Sequence, residues 1–192
     1  MKKSYLFVAV ICIVVVLAGA FWYFGLRGGD ETVGGNIPAN GLELSSPAFS
    51  SGGKIPSKYT FDGSDISPPL NISGAKGESL AIIMDDPDAP GGTFTHWLIW
   101  NIPANTTQIP EGIPQEETVG ELGNAIQGTN DFGEIGYRGP KPPEGEKHEY
   151  RIFLYTLDRG LDLNPEASRD GLEEAMEGHL IQKTKISGYY ER

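Results

Sequence analysis

The sequence predicts a mainly β domain with one late helical segment, and two observations carry this prediction. The first is composition: 26 glycines, 14 prolines and 10% aromatic residues among 192 residues favour a loop-rich β architecture over a helical bundle. The second is that the apolar runs have the length of strands and are separated by Gly and Pro turns. These runs are Leu42–Leu44, Leu80–Met84, Trp97–Ile102 and Tyr150–Leu157.

Only residues 168–184 have helical character. Ser168 or Asp170 can cap the start of this segment. Apolar or packed residues then recur at intervals of three and four, at Leu172, Ala175, Met176, His179 and Leu180. The pattern predicts a helix near the C-terminus, with His179 in a structural role on its apolar stripe.

A segment before this domain predicts a membrane anchor. Tyr5 to Phe24 is a run of 20 residues without a charge, and as a helix it spans roughly 30 Å of hydrocarbon. Lys2 and Lys3 precede it, so the N-terminus is expected inside and the domain outside. The alternative is a cleaved secretory signal, for which Ala18-Gly19-Ala20 has the small residues of a cleavage site.

The predicted organisation therefore has three parts. Residues 1–24 form a transmembrane anchor or signal segment, residues 25–40 a flexible glycine-rich linker, and residues 41–192 the folded domain. Both readings of the first part predict an extracytoplasmic domain, either held at the cell membrane by a single span or secreted after cleavage.

The charge of the domain excludes nucleic acid as a partner, and its cysteine content excludes disulfides and thiolate metal sites. From Gly41 onward the chain has 12 Lys and Arg against 24 Asp and Glu, a formal charge of −12. Nucleic acid is excluded as a partner, because affinity for a polyphosphate backbone comes from a concentrated basic surface. Cys12 is the single cysteine, so the domain has no disulfide and no thiolate metal site. Any phosphate it binds must be held by local donors.

Three stretches between residues 85 and 150 gather carboxylates, imidazoles and rigid backbone: Asp85–Pro90, Thr95–Trp97 and Gly136–Tyr150. Two of the chain's three histidines, His96 and His148, lie inside them. Near a dianion the charged form of each imidazole is favoured, and each can donate a charge-assisted hydrogen bond. The sequence therefore predicts a small anion pocket with His96 and His148 as donors, although His96 beside Trp97 is also compatible with a packed structural histidine.

Asp86, Asp88 and Tyr150 are the other candidates that the residues themselves suggest. A carboxylate beside a phosphate costs electrostatic energy, and three arrangements avoid this cost. The carboxylate can be protonated, it can accept a hydrogen bond from a protonated phosphate oxygen, or it can hold an imidazolium that binds the ligand. The Asp-Pro-Asp segment is equally compatible with a rigid turn. Tyr150 lies two residues after His148 and points to the same side of a strand, either into the core or into the pocket.

Ordered motifs along the chain resemble the phosphatidylethanolamine-binding protein family, in its prokaryotic Raf-kinase-inhibitor-like branch. The resemblance runs from about Gly41 to Arg192 and rests on segments that are specific as an ordered set. They are Leu44–Phe49, Ser67–Leu70, Asp86–Pro90, His96-Trp97, Asn130–Gly133, Gly139–Pro143, Gly178–Leu180 and Gly188–Arg192.

The resemblance implies a fold and a site. The family fold is an antiparallel β-sandwich with Greek-key connections and peripheral and C-terminal helices. Its matching histidines line an anion site, Asp86 faces the ligand, and Asp88 supports the loop. Backbone amides around the Gly139-Pro140-Lys141 segment complete the site, where glycine permits close approach.

The chain also departs from the family pattern at three positions. Glu149 stands where an arginine commonly follows the histidine, and Arg151 is a candidate to replace it in a salt bridge. Lys141 and Phe61 stand where prokaryotic members commonly have cysteines.

These features predict an extracytoplasmic binding module for a phosphate-like group on a phospholipid head group, a small metabolite or a protein, with no cofactor and no catalytic or metal-binding residue. By resemblance, inhibition of a peptidase or of another protein is the alternative. A metal-dependent hydrolase is a weaker alternative, since two aspartates and two histidines can in principle bind a metal ion.

Overall fold

The computed structural model describes residues 37–192. The predicted anchor, residues 1–24, and most of the predicted linker lie outside these residues. Within residues 37–192 no helix is long and apolar enough to span a membrane. The last linker residues are hydrogen bonded to the domain, because the buried Gln182 side chain donates to the carbonyl oxygens of Ala39 and Asn40 at 2.9 and 3.4 Å.

The described chain forms ten strands, two short 3-10 turns and one α-helix. The 3-10 turns span Ser57–Tyr59 and Gly120–Leu122, and the helix α1 spans Arg169–Met176. The strands are β1 (Glu43–Ser45), β2 (Gly53–Lys54), β3 (Leu70–Ser73), β4 (Ser79–Asp86), β5 (Phe94–Pro103), β6 (Gln108–Ile109), β7 (Thr118–Val119), β8 (Ala125–Gln127), β9 (Lys147–Leu157) and β10 (Leu180–Glu191). Each of the four predicted strand runs lies within or overlaps one of these strands.

The strands form two sheets. The small sheet has the order β1-β3-β6, and the large sheet has the order β2-β10-β9-β4-β5-β8-β7. In the large sheet β9 follows β4, β5 and β8 in sequence but lies beside β4, which gives the order β9-β4-β5-β8. This is the spatial order of a Greek key. The sheets are antiparallel except where β2 pairs with β10 in parallel, so the expectation of a fully antiparallel sandwich is wrong at that edge.

Both faces of the large sheet are covered. Leu80, Ile82 and Met84 of β4 pack in one apolar cluster with residues of the small sheet, while Ala81 and Ile83 pack in a second cluster on the opposite face, with residues of α1. Side chains alternate between the two faces of a strand. All eight residues of β4 are therefore buried, which explains why the sequence shows a continuous apolar run there instead of an alternating one.

The late helix is shorter than predicted. It starts after Ser168, whose hydroxyl accepts the Gly171 N–H at 3.5 Å, and it ends before Gly178, which has a φ of 78°. Leu180 to Thr184 belong to β10 and pair with β9. The prediction of a helix through residue 184 is thus wrong in its second half, because the left-handed backbone of Gly178 ends the helix and the residues that follow pair with β9. Residues 37–192 thus contain one α-helix, and their last element is the strand β10.

Candidate functional site

Three strand ends meet at one edge of the large sheet. Because β4 is antiparallel to both β5 and β9, its C-terminal end lies beside their N-terminal ends. This topology brings together Asp86 at the end of β4, His96 near the start of β5, and His148 and Tyr150 near the start of β9. All four residues are buried. The structure thus groups four of the predicted site residues.

A β-bulge turns His96 toward this site. Met84 pairs with Trp97 and Asp85 pairs with Thr95, so His96 is an extra residue on β5. Strict alternation would place His96 and Trp97 on opposite faces of the sheet. With the bulge, the Trp97 ring packs on Tyr137 in the inter-sheet core, and the His96 ring contacts the Tyr150 ring edge to face at 5.2 Å.

The His96 imidazole is held in one orientation. Its Nδ1–H donates to the carbonyl oxygen of Arg138 at 2.7 Å, and the Arg138 N–H donates back to the His96 carbonyl oxygen at 3.0 Å. Phe94 and Phe132 pack edge to face on the same ring, each at 5.5 Å. Burial lowers the pKa of His96, against the raising effects of this hydrogen bond and of Asp86. Burial therefore opposes the charged form of His96 in the unliganded site, and its role as an imidazolium donor to a bound anion stays a prediction.

His148 lies between two carboxylates. Its Nδ1–H donates to Asp86 Oδ2 at 2.8 Å, and Nε2 lies 3.2 Å from Glu146 Oε2. Burial disfavours the charged ring, but the hydrogen bonds to Asp86 and Glu146 and the charge of Asp88 outweigh it and raise the pKa of His148. The Asp86 carboxylate therefore favours the charged form of His148, in line with one of the three arrangements expected for a carboxylate in this pocket.

The Tyr150 side chain is buried, and its hydroxyl makes no short hydrogen bond within the described chain, although Asp86 and the Lys141 N–H lie near enough to act on it as weak hydrogen-bond partners. Burial, and then the charge of Asp86, raise the pKa of Tyr150 well above its ordinary value, while the backbone N–H of Lys141 acts in the opposite direction. The hydroxyl is therefore neutral, and it lies close to both Asp86 and the Lys141 amide. Tyr150 lines the site and is not only a core aromatic residue.

The Gly139-Pro140-Lys141 segment forms one wall beside Tyr150. A Cβ on Gly139 would lie 2.6 Å from the Tyr59 carbonyl oxygen and 2.7 Å from the Thr60 Cα, so only glycine fits there. The Gly139 N–H donates to Asp65 Oδ1 at 2.7 Å, and the Pro140 carbonyl oxygen accepts the Phe61 N–H at 3.1 Å. These contacts fix the wall and leave the Lys141 amide as its donor toward Tyr150.

Two predicted residues have roles outside the enclosed site. The exposed Asp88 accepts the Glu149 N–H at 2.8 Å, which ties the loop after β4 to β9 as the resemblance implied. The Lys141 ammonium group lies 3.6 Å from the centre of the Phe61 ring. The Lys141 side chain therefore contacts Phe61, and these two residues occupy the positions where prokaryotic members commonly have cysteines. Only the Lys141 backbone faces Tyr150.

Asp85 and Glu146 are important residues that the sequence reasoning did not single out. Asp85 is fully buried and accepts hydrogen bonds from Arg151 Nε at 2.8 Å and from Arg169 at 2.8 Å. Arg151 thus forms a salt bridge beside the site, as expected from the loss of the family arginine at Glu149. No sequence periodicity identifies Glu146 as a partner of His148, because it lies in the turn before β9.

The carboxylates and imidazoles of the site are not arranged as a metal centre. Within residues 37–192 no group of three or more His, Cys, Asp or Glu side chains is placed to hold a metal ion. A separate open groove over β1 and β3, next to Thr184 of β10, contains the single carboxylate of Glu43 and no histidine. The titratable groups at the sheet edge therefore remain the candidate site.

The fold and this edge define a class of protein: a two-sheet β domain with an enclosed histidine, aspartate and tyrosine site. A family model described as phosphatidylethanolamine-binding protein matches residues 45–191. The chain belongs to the phosphatidylethanolamine-binding protein family, and its fold is that of a ligand-binding domain.

Similar proteins share most of this chain. A UPF0098 protein of Pyrococcus horikoshii is 52% identical over 167 residues, which cover 85% of this chain and 83% of the relative. The crystal structure of a homologue of the family from Chlamydia trachomatis has a TM-score of 0.72 and 38% identity, covering 80% of this chain and 99% of that one. YbcL of Escherichia coli has a TM-score of 0.73 and 28% identity, covering 79% and 98%.

Proposed function

We propose that this domain is a binding module whose enclosed site takes a phosphate-like group, carried by a small molecule or by a phospholipid head group. The observation that carries the proposal is the buried Tyr150 hydroxyl, which in the described chain has no short hydrogen bond and only weak contacts with Asp86 and the Lys141 N–H. Leaving a buried hydroxyl without a good partner costs about 1–3 kcal/mol. A ligand oxygen that accepts from this hydroxyl would remove that cost.

The surroundings of Tyr150 suit an anionic oxygen. The Lys141 N–H is a second donor next to the hydroxyl. Asp86 would repel an anion, but both of its oxygens accept hydrogen bonds, from the Asp88 N–H at 2.9 Å and from His148 at 2.8 Å. Because His148 and the Asp88 N–H both donate to Asp86, they offset part of its negative charge and reduce the repulsion of an anion at the hydroxyl.

The proposal assigns binding and no reaction. His148, whose pKa is raised, has both ring nitrogens next to carboxylates, so it is not placed to take a proton from a bound molecule. Inhibition of a peptidase or of another protein stays a hypothesis from the resemblance, without a contact in the described residues that favours it. The location outside the cytoplasm, with attachment through residues 1–24, is likewise proposed from the apolar N-terminal segment.

Substitution of Tyr150 by phenylalanine tests the binding proposal. Tyr150→Phe removes one buried oxygen and keeps the ring that packs on His96. We expect affinity for inorganic phosphate or phosphoethanolamine, measured by titration calorimetry, to fall about tenfold or more. Because a buried hydroxyl without a good partner is removed, stability should be unchanged or higher.

Tyr189→Phe is the matched control, since Tyr189 lies on β10 and its ring contacts Lys147. This variant should bind like the wild type. Equal affinity of the wild type and Tyr150→Phe would show that the hydroxyl does not contact the ligand, and no binding by the wild type would contradict the proposed function as a whole.

A further inference from the structure

Cationic side chains of β9 and β10 lie around one buried aromatic ring, that of Phe153. The ring centre lies 5.3 Å from the Arg151 guanidinium carbon and 5.2 Å from the Lys183 ammonium nitrogen. The Lys185 ammonium nitrogen lies 5.6 Å from the same centre, because Lys185 stands directly opposite Phe153 on the neighbouring strand. These three residues, together with Arg169 at the start of α1, are called the basic patch.

The basic patch has more positive than negative charge. Asp85 pairs with Arg151 and with Arg169, and Glu173 pairs with Arg169. Four cations thus stand against two carboxylates. Burial lowers the pKa of Lys183, and the charges of the other three cations act in the same direction, opposed by Glu173. The cations therefore repel one another, and an anion placed over the patch would relieve this repulsion.

The rest of the domain has the opposite charge. The formal charge from Gly41 onward is −12, so the part outside the patch is more negative still. An anionic surface therefore repels most of the domain and favours the orientation that turns the patch toward it. Lys185 is exposed and Lys183 is half-buried, so these two ammonium groups are the ones that such a surface meets first.

The described chain begins beside the patch. The Lys183 N–H donates to the Pro38 carbonyl oxygen at 3.4 Å, so the chain before residue 37 leaves the domain at the edge of β10. Residues 25–36 span at most about 40 Å even when fully extended. An anchor in residues 1–24 would thus keep the patch within reach of the bilayer surface.

We propose that the basic patch orients the domain against a membrane surface that carries anionic phospholipid. A lysine or arginine near such a surface gains roughly a fivefold preference. Two charges in excess are too few to hold a free domain on a membrane, but they are enough to orient a domain that a short linker already keeps there. The inference rests on the membrane attachment proposed above and does not depend on phosphate binding in the enclosed site.

Lysine labelling of the full chain tests this orientation. The chain is reconstituted in phosphatidylcholine vesicles with and without about 30% phosphatidylglycerol, treated with a membrane-impermeant amine reagent and analysed by mass spectrometry. We expect Lys185 to react about fivefold or more slowly in the anionic vesicles at low salt. At high salt the difference should disappear, because ions screen the attraction. Lys58, which is exposed and pairs with Glu111 outside the patch, should react equally in both.

A charge variant tests the patch itself. Lys183→Gln should reduce the difference in Lys185 labelling to less than about threefold, because one of the two excess charges is gone. Lys58→Gln is the matched control and should keep the full difference. A full difference in Lys183→Gln overturns the role of the patch.

Three further outcomes also overturn the proposal. Equal labelling of Lys185 in the two kinds of vesicle would show that anionic lipid does not orient the domain. Protection of Lys185 in detergent without vesicles would show that a second copy of the chain covers the patch. A full chain that floats with neither kind of vesicle would overturn the attachment and, with it, the orientation, whereas phosphate binding would be unaffected.

Discussion

At the scale of single residues, the contact between His148 and Glu146 affects the pKa of His148. Nε2 of the buried ring lies 3.2 Å from a carboxylate whose side chain is 55% exposed. This carboxylate contributes to the raised pKa of His148. A neutral amide at the same position accepts a hydrogen bond but carries no charge, so it stabilises the imidazolium less.

We therefore expect Glu146→Gln to lower the pKa of His148, measured by NMR titration of the imidazole. Glu144→Gln removes the same charge from the same turn without the contact and should leave the pKa of His148 nearly unchanged. Equal shifts in the two variants would show that the general charge of the turn acts on His148, and not the Glu146 hydrogen bond.

The same pKa shift predicts how His148 affects stability. Because its folded pKa is raised above the unfolded value of about 6.5, the folded state binds the proton more tightly. The contribution of His148 to the free energy of unfolding is full below about pH 6.5 and is lost as the pH rises through the folded pKa. In Glu146→Gln the folded pKa should be lower, so the stabilisation should be lost at a lower pH. The free energy of unfolding, measured with denaturant from pH 5 to pH 8, tests this.

At the scale of elements, the end of β4 is held by a buried ion network on the face opposite the site. Asp85 accepts from Arg151 on β9 and from Arg169 at the start of α1. Removal of one member of such a network leaves the others charged and buried. Asp85 is therefore the residue that joins β4, β9 and the helix electrostatically.

Asp85→Asn should reduce the free energy of unfolding by about 3–5 kcal/mol, because two arginines lose their counter-charge. Denaturant unfolding measures the change. Asp158→Asn is the control: its 52% exposed side chain contacts His179 at 2.9 Å and Arg159 at 3.8 Å, and the loss of such surface pairs should cost less than about 1 kcal/mol. Similar costs for the two variants would contradict a structural role specific to Asp85.

The loop after residue 138 gives a second prediction at this scale. Gly139→Ala places a Cβ against the backbone of Tyr59 and Thr60, which cannot move as a side-chain tip can. We expect a loss of stability of about 1–3 kcal/mol and weaker phosphate binding, because the Lys141 amide shifts. Gly120→Ala, where a Cβ meets nothing within 4 Å, should bind normally. Normal binding by Gly139→Ala would show that the position of the loop is not critical.

At the scale of the whole molecule, two residues just before the predicted domain start at residue 41 are hydrogen bonded to the domain. The Gln182 side chain, which is fully buried, donates to Ala39 and Asn40. A chain shortened to residues 37–192 keeps these hydrogen bonds, whereas a chain starting at Gly41 loses both. We expect the longer form to be more stable by about 0.5–1.5 kcal/mol, as measured by denaturant unfolding. Equal stability of the two forms would contradict this assignment of the boundary.

The role of residues 1–24 is tested by fractionation of the full chain. The full chain should stay with the membrane fraction through a high-salt wash, because apolar attachment is not screened by ions. Residues 37–192 expressed alone should be recovered without membranes. Release of the full chain by salt alone would contradict an integral anchor.

The sequence by itself determined the mainly β architecture and the family, and it predicted which residues form the candidate site. Composition and strand-length apolar runs are local properties, and they predicted parts of β1, β4, β5 and β9. Charged and imidazole side chains in rigid segments likewise identified Asp86, His96 and His148 as neighbours in one site. The strands could be predicted because buried positions require apolar residues, which the sequence shows directly.

Only the tertiary structure decided the direction of the pKa shifts and the contacts of these residues. The direction of the His96 side chain depends on a bulge against β4, and its lowered pKa depends on burial by residues distant in sequence. The end of α1 was decided by pairing of Leu180 to Thr184 with β9. Strand pairing and desolvation depend on contacts between distant segments, and no local pattern encodes which segment will cover which.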